Sequence, residues 1–196
     1  MLNKILLCVL LVMSSVTLSA QRDSVVFGND LFFGIYSEVY QQPLTLSYTV
    51  MCPNGDASRY GMDFYVNDSV ITSDNEDYRN NVWDKGHIAP AAAFNCDLIT
   101  LYKTFSYLNC SLQHQNLNRG LWRSLESYER KLALCNKVFV VVDLVFSEKS
   151  EKLETGAVVP DGFKKSVYVN DTLTGSYYFP NTPTIKGVTF DYYKIQ

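Results

Sequence analysis

Between residues 44 and 51 the chain alternates, with Leu44, Leu46, Tyr48 and Val50 on one face, which predicts a half-buried strand. The run Cys-Pro-Asn-Gly-Asp at 52–56 then predicts a turn. A short aromatic strand is expected at 62–66, and the segment TFSYL at 104–108 reads as a buried one. From 117 to 135 the periodicity changes. Leu121, Trp122, Leu125, Tyr128 and Leu132 recur at helical spacing, so the segment predicts a helix with one face in the core. Gly120 near its start and Asn136 beyond its end suit its boundaries. The β-branched run KVFVVVDLVF at 137–146 predicts a central strand covered on both faces, with Asp143 its one polar interruption. Further short strands are expected at 157–159, 166–169, 176–179 and 188–193, while 21–44 mixes turn signals with aromatics and yields no clear element. Together these elements predict an α+β fold in which a mixed or antiparallel sheet carries one long helix and irregular loops.

The first twenty residues fall outside that pattern. One Lys near the start, an apolar run from Ile5 to Met13 and small residues up to Ala20 predict a secretory signal cleaved after Ala20. The run is too short for a membrane anchor, so the expectation is a secreted or periplasmic protein with a single domain over 21–196. Hydrophobic residues make up 47% of the 196-residue chain and Tyr occurs 14 times, which argues for a packed core over disorder. The formal net charge is −3, so affinity for a polyanion has to come from a local patch or a bound metal. Cys52, Cys96, Cys110 and Cys135 remain after processing; no two are spaced as a zinc pair, and one or two disulfides of undetermined pairing are expected.

The candidate chemistry centres on His87, within WDKGHIAPAAAF at 83–94. Gly86 frees the backbone before it and Pro90 prevents a helix after it, which predicts a strand end or loop that presents the imidazole. Taken alone, a lone histidine near a turn is more often a packing or hydrogen-bonding residue than a catalytic one. On the predicted helix, Asn118, Trp122, Glu126 and Arg130 follow at four-residue steps. An amide, a carboxylate and a guanidinium therefore line up on neighbouring turns, as a solvated stripe or as a site. His114 reads as a surface or packing residue, and the Lys149–Lys152 and Lys164–Lys165 segments as backbone-phosphate contacts or plain solvated loops.

WDKGHIAPAAAF, followed by TFSYLNCSLQHQNLNRGLWRSLESYERKL at 104–132, resembles the DNA/RNA non-specific endonuclease family, with its ββα-metal active site. The family pattern of Asp-Arg-Gly-His-x-Ala-Pro, Asn-x-x-x-Gln and Leu-Asn-x-Gly-x-Trp-x-x-Leu-Glu falls at Asp84 to Pro90, at Asn109 and Gln113, and at Leu117 to Glu126 with Arg130. Arg59 in SRYGMDF matches more loosely. The resemblance implies that His87 is the general base, that Asn118 is the direct ligand of Mg²⁺, with Mn²⁺ open as a substitute, and that Glu126 holds water around the ion. It implies that Arg59 and Arg130 grip the phosphate, and it assigns Asp84, Lys85, Asn109 and Gln113 to the substrate side. Lys85 departs from the family's Arg and loses the planar fork; Leu112 stands where the family often has Pro.

The implied activity is metal-dependent hydrolysis of phosphodiester bonds in DNA and RNA with little sequence preference. The competing reading is a secreted binding protein of the same fold without turnover, favoured by the acidic net charge and by Lys85.

Overall fold

The computed structural model describes residues 21–196; the expected signal segment lies outside the described residues. The segment that gave no clear sequence signal forms a hairpin, β1 (Val25–Gly28) and β2 (Phe32–Ser37), which continues into β3 (Gln42–Thr49). Two local devices explain why it was illegible. The Asn29 side chain accepts from the amides of Leu31 (2.8 Å) and Phe32 (3.1 Å) to close the turn. Within β2, a Cβ at Gly34 would sit 2.5 Å from the Thr45 carbonyl oxygen and 2.8 Å from the Phe27 ring, so this strand crosses its neighbours too closely for a side chain.

A long irregular stretch leads to β4 (Trp83–His87), and α1 (Leu98–Lys103) precedes β5 (Cys110–His114). The helical region then runs as α2 (Gln115–Leu117), a wider π turn (Asn118–Trp122) and α3 (Arg123–Leu132). Three strands complete the chain: β6 (Val138–Val145), β7 (Gly162–Val169) and β8 (Thr172–Pro180). The main sheet is six-stranded and antiparallel in the order β1-β2-β3-β6-β7-β8, and β4 and β5 form a separate antiparallel ribbon. The α+β expectation holds.

The β-branched run is indeed central, but only one of its faces is fully covered. Val138, Val140, Val142 and Leu144 are buried while Phe139, Val141, Asp143 and Val145 alternate with them as half-buried positions. The hydroxyl of Thr45 donates to Asp143 across the sheet at 2.8 Å, which makes Asp143 a sheet residue. The covered face receives the helix: Trp122 and Leu125 pack with Leu46, Tyr48, Phe163 and Phe179 in one continuous core.

Other expectations need correction. The segment at 62–66 makes a single bridge, Tyr65 to Ser106, and no strand. Residues 104–108 are buried as expected, but they pass from the end of α1 into a 3₁₀ turn at Tyr107–Asn109, and the strand begins only at Cys110. The predicted strand at 157–159 reduces to one bridge, Lys152 to Val158, and 188–193 holds a 3₁₀ turn, Phe190–Tyr193. Cys52 and Cys96 form a disulfide with Cα atoms 5.4 Å apart, whereas Cys110 is buried and free and Cys135 exposed and free. No helix of the described residues is long and apolar enough to cross a membrane.

Candidate active site

His87 closes β4, paired in register with Cys110 of β5. The ribbon is tied to the start of β3 by Gln42, whose side-chain oxygen accepts from the Ser111 hydroxyl (2.8 Å) and the Leu112 amide (3.1 Å). Gly86 serves space more than backbone freedom: a Cβ there would meet the Gln113 side chain at 2.5 Å. Immediately after His87 the chain is fixed by Asn109. Its amide oxygen accepts from the Ala89 N–H at 2.7 Å, and its nitrogen donates to the carbonyls of Ala89 and Thr104, both at 2.9 Å. On the other flank the disulfide, together with the amides of Met51 and Cys52 on the Ala93 carbonyl and of Ala57 on the Asn95 carbonyl, holds the loop that carries Arg59 beside this segment.

These elements enclose a cleft of about 740 Å³ whose lining includes Arg59, Lys85, His87, Asn118, Glu126 and Arg130. Six of the nine residues singled out from the sequence therefore meet on one surface. Asp84, Asn109 and Gln113 do not line it. Asn109 and Gln113 are fully buried, Asn109 holding the loop after His87 and Gln113 lying against Gly86 with both amide atoms unpaired. Asp84 supports the cleft from behind, accepting from the Asn118 side-chain nitrogen at 2.9 Å and from Arg119 Nε at 2.8 Å. With its nitrogen so engaged, the Asn118 amide oxygen accepts no hydrogen bond from the described residues.

The four-residue row on the helix is broken by the π turn, where Gly120 leaves helical geometry (φ −107°, ψ −106°). The extra residue re-phases the helix, so Trp122 turns into the core while Asn118, Glu126 and Arg130 face the cleft.

Electrostatics separate the two titratable groups at the centre. The His87 ring lies between Phe64 (centroids 4.6 Å apart) and the edge of Phe105 (4.9 Å), and its Nε2 is buried without a hydrogen-bond partner. Burial first, and the Arg59 charge second, depress its pKa to about 3. The imidazole is thus held neutral well below its ordinary range. Glu126 moves the other way: burial and the neighbouring Glu129 raise its pKa to about 7, against the opposing pull of Lys165 and Arg130. Behind it, Lys165 and Glu129 form a buried ion pair at 2.9 Å, the Tyr48 hydroxyl donates to Glu129 at 2.7 Å, and the Lys165 ammonium lies 4.3 Å from the Trp122 ring centre. Lys165 is fully buried and so cannot contact a backbone phosphate from a solvated loop. Lys85 is held by Asp63 at 2.7 Å and by Asn75. His114 packs, its Nδ1 accepting from the Asn116 amide at 3.2 Å. The Cys110 thiol, buried behind His87, is pushed up to about 12 and is no nucleophile.

Sequence reasoning missed Arg119 and Arg123, which also line the cleft, and the two Phe rings around His87. For the arginines the signal was available: both lie within five residues of Asn118, on the same helical region.

A two-stranded ribbon ending on a histidine and followed by a helix that carries an amide and a carboxylate is the ββα arrangement. The family model described as DNA/RNA non-specific endonuclease matches residues 15–196. The chain belongs to that family. Mitochondrial endonuclease G of Bos taurus is 29% identical over 161 residues, which cover 72% of this chain and 54% of that protein. The nuclease of Serratia marcescens is 28% identical over 124 residues, covering 57% and 45% respectively. The matched stretch thus spans about half the length of these relatives. A chain in the crystal structure of the EndoG/EndoGI complex superposes with a TM-score of 0.76 at 21% identity, covering 87% of this chain and 80% of that one, and shares the fold.

Proposed function

We propose that the protein is a metal-dependent endonuclease that hydrolyses phosphodiester bonds of DNA and RNA with little sequence preference. One observation carries the reading: a neutral histidine whose buried Nε2 has no partner opens on a cleft lined by guanidinium groups, an amide and a carboxylate. The place of His87 on the cleft wall beside Asn118 and Glu126 separates it from His114, which packs away from the cleft. Backbone recognition by cationic side chains carries no base preference.

The donor set suits a hard divalent cation. No group of three or more His, Cys, Asp or Glu that could hold a metal lies among the described residues. A single amide oxygen with one carboxylate nearby fits Mg²⁺, which keeps most of its waters and takes few protein ligands, and Mn²⁺ fits the same donors. Asn118 would hold the ion directly and Glu126 its water shell. When bound, the ion offsets charge on the phosphoryl oxygens and on the leaving oxygen.

The remaining work belongs to the chain. His87, neutral at physiological pH, takes a proton from the attacking water. Phe64 and Phe105 fix the plane of its ring and keep bulk water from it. Arg59 and Arg130 hold the non-bridging oxygens of the scissile phosphate as forked donors. Asp84 keeps the Asn118 amide nitrogen turned away, leaving the oxygen for the ion. Export to an oxidising compartment belongs to the same reading and is supported by the Cys52–Cys96 bond.

The assignment separates two variants. Asn118→Ala should raise the Mg²⁺ concentration needed for half-maximal cleavage by about 10- to 100-fold or more, the scale on which even outer partners of a metal act. His87→Ala should leave Mg²⁺ binding, followed by calorimetry, within a few-fold of the parent. An unaltered Mg²⁺ requirement in Asn118→Ala would remove it as the ligand.

A further inference from the structure

Two cationic side chains in the cleft lie outside the family pattern: Arg119 and Arg123. Both are exposed, and they stand four residues apart, one on the π turn and one at the first residue of α3. Arg119 is compensated by Asp84. Arg123 is not: its guanidinium makes no ion pair and no hydrogen bond among the described residues, although Glu126 lies three residues on. Around it, Arg59, Lys85 and Arg130 also line the cleft, against Glu126 as the one lining carboxylate, in a chain whose net charge is −3. Lys85 and Arg119 have partners in Asp63 and Asp84, whereas Arg123 stands open to solvent in a cleft lined by five cations and one carboxylate. A polyanion in the cleft would supply the partner that the chain does not.

We propose that Arg123, beside Arg119, forms a second phosphate subsite on the helical rim of the cleft, taking a backbone phosphate of the bound strand other than the one being cut. The proposal rests on the endonuclease reading and deepens it. Arg59 and Arg130 serve the scissile diester, and Arg123 makes the protein favour a polymer over a small diester. Arg119 also anchors Asp84, so Arg123 is the cleaner probe.

The test compares the full chain with Arg123→Gln and Arg123→Lys on a long oligonucleotide and on bis(p-nitrophenyl) phosphate, which has only one phosphate. On the oligonucleotide, Arg123→Gln should raise KM by about tenfold, the loss of one charge-assisted contact. It should also flatten the dependence of log KM on log salt by about 0.7 to 0.9, one phosphate contact. The kcat on both substrates and the KM for the small diester should not change, and Arg123→Lys should restore the salt slope. An unchanged KM and slope on the oligonucleotide, or an equal loss on both substrates, would overturn the subsite. If the parent cuts neither substrate with Mg²⁺, the endonuclease reading fails separately. Binding of the same oligonucleotide in EDTA then decides the subsite: a weaker Kd with a flatter salt slope in Arg123→Gln supports it, and identical values overturn it.

Discussion

At the scale of single residues, the proposed chemistry turns on two side chains whose environments move their pKa values apart. His87, with an ordinary value near 6.5, is held at about 3, and Glu126, ordinarily near 4.5, at about 7. For His87 the consequence for stability has a definite sign. Above pH 6.5 the imidazole is neutral folded and unfolded, and contributes nothing. As pH falls from 6.5 towards 3, the unfolded chain gains a proton that the folded chain excludes, and stability declines. Each unit of separation corresponds to about 1.4 kcal/mol, so the loss reaches a few kcal/mol at the lower end. Urea denaturation of the parent and His87→Ala at pH 7 and pH 4 should show the parent losing more stability than the variant; parallel losses would mean that the imidazole is not held neutral by the fold. Glu126 acts in the opposite sense, its burial disfavouring the folded state as pH rises from 4.5 through 7. The sequence placed His87 correctly at a strand end, but nothing in WDKGHIAP reveals the Phe64 and Phe105 rings that desolvate it, because they come from 23 residues before and 18 after.

At the scale of elements, α3 is joined to the sheet by a buried charge as well as by apolar packing. Lys165 of β7 and Glu129 of α3 meet in the core beside Trp122 and Tyr48. Removing one member strands the other. Lys165→Met should therefore destabilise the fold by about 3–5 kcal/mol, and Lys165→Met with Glu129→Gln, which keeps an acceptor for Tyr48, should recover most of that loss. Urea midpoints of the two variants decide it; equal destabilisation by the single and the double change would show that the pair is not coupled. The helix itself was legible because five apolar residues repeat at its period. Its π turn was not, since re-phasing by one residue leaves only a Gly in the pattern as a trace. Lys165 was misread as part of a loop because the strand predicted at 166–169 starts four residues late. In the observed β7, which begins at Gly162, Lys164 and Lys165 fall on opposite faces, one in water and one in the core. The β1–β2 hairpin escaped because its turn rests on the Asn29 side chain and its crossing on Gly34, neither of which leaves a periodic signal.

At the scale of the whole molecule, an acidic chain concentrates cations in one cleft, so attraction for a polyanion acts at short range and weakens with salt. The ribbon, the disulfide-tethered loop and the helix come from stretches far apart in sequence, and the six lining residues read from the motif meet only because those three elements converge. The motif carried this part of the site; the supporting roles of Asp84 and Asn109 depend on contacts across 34 and 20 residues that no linear pattern displays. The most direct measurement is plasmid cleavage by purified residues 21–196 with Mg²⁺ and with EDTA, beside His87→Ala of matched circular dichroism. The account predicts nicking and linearisation that require the metal and fall by at least about 100-fold in the variant, the lower end of what a general base supplies. Undiminished cleavage by a folded His87→Ala protein, or none by the folded parent with any divalent metal, would contradict it.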